Sequence, residues 1–100
     1  MSDNKIKFAK VNDVPVPPPM EGGVRIVRIV PGPVTVYGTV TIPNNTVECT
    51  LQGPGKSASQ IAVATGNNWQ VGFGTVPAGS YRLSACAVNE GCDNATLNVG

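Results

Sequence analysis

The C-terminal two thirds of the chain is a succession of short segments in which apolar and polar residues alternate. In one of them, Tyr81, Leu83 and Ala85 alternate with Arg82 and Ser84. A period of two is the pattern of a β-strand that has one buried face. No segment of useful length has the helical period, so the chain is constrained to an all-β fold.

Turn signals separate these segments at nearly regular intervals. The predicted strands span residues 34–42, 46–52, 59–65, 68–75, 80–88 and 94–99. Pro, Gly and Asn lie between them, and this spacing is typical of an antiparallel sandwich or barrel. A further segment, 24–30, is rich in β-branched residues and apolar on both faces. It predicts either a buried strand or a strand contributed to the sheet of another subunit.

The alternation also predicts which side chains form the interior. Apolar residues share one face in each of the two segments around positions 71 and 83, and they include three aromatic rings. The predicted core residues are Trp69, Val71, Phe73, Tyr81 and Leu83. We expect the Tyr81 ring to pack at a strand corner with its hydroxyl bonded to the backbone.

The first part of the chain has a different composition. Val14–Pro19 favours extended polyproline II structure, because proline fixes φ and donates no backbone hydrogen bond. A disordered leader and an extended arm that docks on a neighbour both fit this pattern, and we adopt the arm. The predicted division is an arm over 1–33, with a docking strand at 24–30, followed by a sandwich over 34–100. The predicted docking residues are Lys5, Ile6, Lys7, Phe8, Pro17, Pro18, Arg25, Ile26 and Arg28.

Charge and hydropathy limit the partners of such a chain. Charged residues make up 13% of the sequence and the net charge is +1, so no strong field attracts nucleic acid or anionic lipid. No apolar run reaches the ~20 residues of a membrane span, and the first residues lack the apolar core of a signal peptide. We therefore expect neither nucleic acid nor membrane as a partner and, if Met1 is the native start, no export by the usual signal route.

The residues offer little for catalysis or for binding a cofactor. The chain has no histidine, and Glu90 and Asp93 share a turn in which we expect them to be solvated. A weak calcium site at this turn is the alternative, although it offers few of the six to eight oxygens that calcium needs. Gly53–Ser57 resembles the end of a phosphate-binding loop but lacks its first glycine and following helix, and fits a turn with a solvated Lys56. We predict no enzyme, catalytic residue, metal or cofactor.

Three cysteines leave at least one thiol unpaired within a monomer. Cys49 alternates with Val47 and Leu51 and should be buried. Cys86 and Cys92 flank a predicted hairpin turn and share a face, so a disulfide could join them across the turn. Three free thiols in a reducing cytosol fit the sequence equally well.

Several of these motifs together resemble bacterial and phage immunoglobulin-like domains of the Big type. The resemblance covers about residues 34–99 and is carried by Trp69-x-Val71-x-Phe73, the turn Val76–Gly79, the alternating run Tyr81–Ala87 and the closing segment Asn94–Val99. It implies an antiparallel β-sandwich of about seven strands, a fold that is used for spacers, adhesins, carbohydrate-contacting modules and virion parts. One feature departs from antibody domains, in which a disulfide joins the two sheets. Cys86 lies on the opposite face of its strand from the one that such a disulfide requires.

Together, the fold and the arm predict a non-enzymatic structural protein. The leading hypothesis is a phage virion accessory protein of the capsid-decoration type, anchored on capsid or other virion proteins by its N-terminal arm and located in the virion. The alternative is an adhesin or carbohydrate-binding module on a bacterial cell surface, excised from a longer chain, with a host-surface glycan as its ligand.

Overall fold

The computed structural model describes residues 6–17 and 25–100, and these residues form two packed β-sheets without a helix. The all-β prediction is therefore confirmed. The strands are β1 (Lys7–Val11), β2 (Val14–Pro15), β3 (Ile26–Ile29), β4 (Gly32–Thr39), β5 (Thr46–Gln52), β6 (Ser57–Val63), β7 (Asn68–Val76), β8 (Gly79–Ala87) and β9 (Gly91–Val99).

The strands are divided between a four-stranded and a five-stranded sheet. The first has the order β2-β1-β4-β7 and the second the order β3-β9-β8-β5-β6. All neighbouring strands are antiparallel except β3 and β9, which run parallel. The two sheets pack face to face and enclose a single apolar core.

The six strands predicted over residues 34–99 are all present, and five of them have shifted ends. β5 has the predicted bounds, whereas β4 begins at Gly32, two residues before its predicted start and between two prolines. Pro33 is tolerated there because it lies at the start of the strand. β9 begins at Gly91 rather than at residue 94, because its ladder with β8 continues to the Ala87–Gly91 pair.

The five predicted core residues are buried, and two of them depend on a nearby glycine. Trp69 packs over Gly38, where any Cβ would collide with the indole ring, and its Nε1 donates to the Thr39 carbonyl at 3.2 Å. The Tyr81 ring lies against Gly53 in the same way, and its hydroxyl donates to the Pro77 carbonyl at 2.9 Å, as predicted. Close approach of an aromatic ring therefore accounts for both glycines.

The N-terminal segment is part of the sandwich, which corrects the prediction of a separate arm. β1 pairs with β4, and the apolar side chains on one side of this segment enter the common core. They are Ile6, Phe8, Val11 and Val16. The alternation of lysine with apolar residues in this segment is the pattern of a strand with one buried face. The fold therefore begins well before residue 34.

β3 likewise belongs to the sheet of its own chain. It pairs in parallel with β9 from Ile26–Thr96 to Ile29–Val99 and buries Val27 and Ile29. Of the two interpretations of segment 24–30, the buried strand fits residues 26–29 and the strand docked on another subunit does not. Residue 24 lies outside the described residues.

Candidate interaction surfaces

The nine predicted docking residues fall into three groups: exposed residues, buried residues and residues outside the described part of the chain. Lys7, Pro17, Ile26 and Arg28 are exposed, and Lys5 and Pro18 lie outside the described residues. Ile6 and Phe8 are buried in the core, and the Arg25 side chain is 8% exposed. A docking role for these last three is wrong, because contacts within the chain already occupy them.

Asp93 organises a buried cluster that joins both sheets. Its carboxylate forms an ion pair with Arg25, which also donates to the Asn94 carbonyl. The backbone N–H of Phe8 donates to Asp93 Oδ2 at 3.0 Å, and that of Asn94 donates to Oδ1 at 3.0 Å. Because Phe8 is on β1 and Asp93 on β9, one carboxylate links the N-terminal segment, the four-stranded sheet and the five-stranded sheet.

Glu90 forms a second buried cluster, in which every donor is neutral. Its carboxylate accepts hydrogen bonds from the Thr41 N–H at 2.6 Å, the Thr41 hydroxyl at 2.9 Å, the Ile42 N–H at 3.2 Å and Asn45 Nδ2 at 2.7 Å. Burial by itself would raise the pKa of this carboxyl, but the hydrogen bonds to its charged form outweigh burial, so the pKa of Glu90 is lowered from its ordinary value. Glu90 fastens the segment after β4 to the turn between β8 and β9.

These clusters correct the prediction that Glu90 and Asp93 are solvated residues of an exposed turn. Glu90 is 3% exposed and Asp93 is 4% exposed. Each carboxylate is engaged by its own set of donors from within the chain. Within residues 6–17 and 25–100, no group of three or more His, Cys, Asp or Glu side chains could hold a metal ion. The absence of a cofactor stays a prediction.

The structure pairs Cys86 with Cys92 in a disulfide and leaves Cys49 as a buried thiol. Cys86 and Cys92 are direct partners in the β8–β9 ladder, so the bond closes the base of the turn that carries Glu90. Burial raises the pKa of the Cys49 thiol to about 12. Because the thiolate is the reactive form, Cys49 is a poor nucleophile at neutral pH.

Lys56 has a structural contact that its sequence context did not reveal. Its ammonium group donates to the Phe73 carbonyl and to the Thr75 carbonyl, the latter at 3.3 Å. Both acceptors lie on β7, which is an edge strand of the four-stranded sheet. Lys56 therefore covers part of that edge instead of being merely solvated.

The outer face of the five-stranded sheet carries polar and charged side chains and, at its β6 end, an apolar patch. Thr50 and Ser59 exemplify the former, with hydroxyl oxygens 3.1 Å apart. The side chains of the patch are Ile61, Val63 and Val88, which are 69%, 65% and 57% exposed, and we call them the β6 patch. Thr46 on β5 pairs with Val63, and the next residue, Val47, pairs with Ala87. Val88, which follows Ala87, therefore lies across Thr46 from Val63.

A second surface lies at the outer face of the four-stranded sheet. The Lys10 ammonium is 4.7 Å from the centroid of the Tyr37 ring, which is within range of a cation–π interaction. Beside this ring is an open groove of about 420 Å³, lined by Tyr37, Val63, Thr65, Asn68, Trp69 and Gln70. Its hydroxyl and amide groups could bind a polar ligand.

The sequence matches no family model, and comparisons with curated proteins and with solved structures also found no match. In the part of the chain that the structure describes, no helix is long and apolar enough to cross a membrane. Sequence reasoning missed the two carboxylate clusters, the Lys56 contact and the β6 patch. Only the last had a signal in the sequence, since residues 57–63 contain neither charge nor proline.

Proposed function

We propose that this protein is a non-enzymatic structural domain that works by contact with other proteins. The observation that carries the proposal is the contrast between its buried and its exposed chemistry. Glu90, Asp93 and Cys49 are buried within the sandwich, where the two carboxylates hold strands together. Three large aliphatic side chains, those of the β6 patch, are exposed at one end of the five-stranded sheet, beside exposed charged residues such as Glu48 and Arg82. Exposed apolar patches of this kind mark surfaces for protein contact.

Two features of the fold support an immunoglobulin-like assignment. β3 pairs in parallel with β9, the last strand, while all other pairs are antiparallel. The hydroxyl of Tyr81, at the start of β8, bonds to the carbonyl of Pro77, four residues upstream. This contact has the geometry of the tyrosine corner that recurs in immunoglobulin-like sandwiches.

The specific form that we propose is a virion accessory protein of the capsid-decoration type. Its partners would be capsid or other virion proteins, and it would reside in the virion. The resemblance to phage immunoglobulin-like domains supports this form. Because residues 6–17 belong to the sandwich, we assign the contact with a partner to the body of the domain.

Fractionation of cells that produce the protein tests this assignment. An antibody against the folded domain is used to follow the chain through differential and gradient centrifugation. A virion protein sediments with particles and stays with them through a high-salt wash. Recovery in the cell envelope would favour an adhesin, and recovery only as free protein would contradict the virion assignment.

The groove beside Tyr37 favours a second candidate, a glycan-binding module of a bacterial cell surface. A tyrosine ring next to Asn68 and Gln70 combines a stacking surface with amide hydrogen-bond donors and acceptors. A glycan array followed by titration of the strongest ligand tests this candidate. Binding should be lost in Tyr37→Ala and retained in Tyr37→Phe. Equal binding by wild type and Tyr37→Ala would exclude the groove.

A further inference from the structure

The four edges of the two sheets differ in how well their backbones are protected. In the described residues the edge strands are β2 and β7 in one sheet and β3 and β6 in the other. An edge strand presents unpaired N–H and C=O groups that can pair with another strand, and proteins usually block this with short length, charge, proline or a bulge. The edge that lacks these devices is the one expected to receive a partner.

Three of the edges are blocked. β2 has only two residues, one of which is Pro15, and β3 has four residues with Arg28 facing out. β7 has an irregular register near Gly74, and Lys56 occupies the carbonyls of Phe73 and Thr75. None of the three offers a long row of free backbone groups.

β6 is the exception. It has seven residues, Ser57–Val63, without charge, proline or glycine, and it pairs with β5 in an unbroken register. A segment of this length with low charge and no proline is a favourable template for strand pairing. β7 leaves β6 after the Thr65–Asn68 bridge and pairs with β4 instead.

The direction of the free backbone groups follows from the alternation of the strand. The N–H of Ala64 donates to the Asn45 carbonyl, on the side of β5. Backbone groups of successive residues point to opposite sides, so those of Ser59, Ile61 and Val63 point to the free edge. The same residues carry their side chains on the outer face, where Ile61 and Val63 are exposed.

We propose that β6 pairs antiparallel with β6 of a second copy of this chain about a two-fold axis at Ile61, which joins the two five-stranded sheets into one. In this register Ile61 faces Ile61 of the second copy, and Ser59 faces Val63. Each Val63 is then diagonal to the opposite Ile61, within reach of an aliphatic contact. The segment is thus complementary to itself, as a two-fold interface requires.

Charge and size also fit a second copy. β6 carries no charge, and the nearest carboxylate, Glu48, is the ladder partner of Ile61 on β5. The two Glu48 residues of the pair would lie about 14 Å apart, three strand spacings, which is beyond the screening length of about 8 Å at physiological salt. A strand pair buries less than the roughly 1,600 Å² of a standard interface, so we expect a concentration-dependent dimer.

The inference goes beyond the proposed function and does not depend on it, since a decoration protein and an adhesin could both dimerise in this way. Sedimentation equilibrium of the full chain, from about 1 μM to about 1 mM, gives the dimerisation constant. Ile61→Lys should weaken the dimer by about tenfold or more, because it places two charges at the axis. The matched control is Ile26→Lys on β3, at the opposite edge, which should leave the constant unchanged.

Cross-linking tests the register. Direct partners in a hydrogen-bonded pair have Cα atoms about 5.5 Å apart, within the range of a disulfide. Ile61→Cys should therefore form an oxidised dimer, whereas Ser57→Cys, on the same face but away from the axis, should not. Three results would overturn the proposal: a chain that stays monomeric at about 1 mM, equal weakening by Ile26→Lys and Ile61→Lys, or equal cross-linking of both cysteine variants.

Discussion

The two buried carboxylates of this small domain are held in opposite ways. Asp93 is neutralised by a cation, Arg25, and also accepts from the Phe8 N–H. Glu90 has no cation among its hydrogen-bond partners and is stabilised by four neutral donors from Thr41, Ile42 and Asn45. A buried negative charge can therefore be compensated either by one opposite charge or by several converging dipoles.

The two clusters also connect different parts of the chain. Phe8 lies 85 residues and Arg25 lies 68 residues before Asp93, so this cluster holds the N-terminal segment against both sheets. The partners of Glu90 are 45 to 49 residues away and belong to one loop. We expect loss of Asp93 to destabilise the whole domain and loss of Glu90 to loosen mainly that loop.

The largest effect should follow from Asp93→Ala. This change leaves the Arg25 charge without its partner and the Phe8 N–H without its acceptor, and breaking a buried ion pair costs about 3–5 kcal/mol of unfolding free energy. Urea unfolding measures the change. Asp13→Ala, at an exposed carboxylate, is the control and should have little effect. A loss as small as that of the control would contradict a central role for the Asp93 cluster.

The next effect should come from opening the Cys86–Cys92 bond with the double change Cys86→Ser and Cys92→Ser. The bond closes a loop with a sequence separation of 6, which corresponds to about 2 kcal/mol in the chain-entropy account. Because that loop carries Glu90, amide hydrogen exchange should accelerate at Thr41 and Ile42 more than at Phe8. If exchange at Phe8 accelerated as much as exchange at Thr41 and Ile42, the two clusters would not be independent.

Replacing Glu90 with Gln should cost about 1–2 kcal/mol at pH 7, because an amide NH₂ then faces donors instead of acceptors. The lowered pKa adds a dependence on pH. The stabilisation from ionised Glu90 is present above its ordinary pKa of 4.5 and is lost as the pH falls through the lower pKa of the folded state. The difference between wild type and Glu90→Gln should therefore shrink below pH 4.5. A difference that is constant down to pH 3, or equally large for Glu48→Gln at an exposed site, would contradict this account.

The smallest effect is expected for Thr41→Val, which removes one of the donors to Glu90. The backbone N–H of residue 41 is retained, so the loss should be about 0.5–1 kcal/mol. Thermal or urea unfolding at pH 7 measures it beside Glu90→Gln. A loss equal to that of Glu90→Gln would mean that the hydroxyl, rather than the whole set of dipoles, holds the carboxylate.

The strands after residue 34 could be predicted because each carries its own signal. In β8, the alternation from Tyr81 to Ala85 fixes the buried face, and turn residues mark both ends. The buried position of Cys49 follows in the same way from its alternation with Val47 and Leu51. These properties depend on neighbouring residues alone.

The candidate surfaces were less accessible to sequence reasoning. The contact of Lys56 with β7 requires a strand that begins twelve residues later to pass beside it. The order of the sheet decides that Ile61 and Val63 lie on an edge strand. The same alternation in a central strand, with one face still open to solvent, would have left no edge for a partner.

The sequence by itself determined that this chain forms alternating strands, which face of each strand is apolar and where the hairpins turn, because these properties arise from backbone preferences and side chains close along the chain. Only the tertiary structure decided that the N-terminal segment enters the sandwich and that Glu90 and Asp93 are buried. The physical reason is that burying a carboxylate or placing an edge strand depends on donors and partners supplied by distant residues, and a local pattern does not contain them.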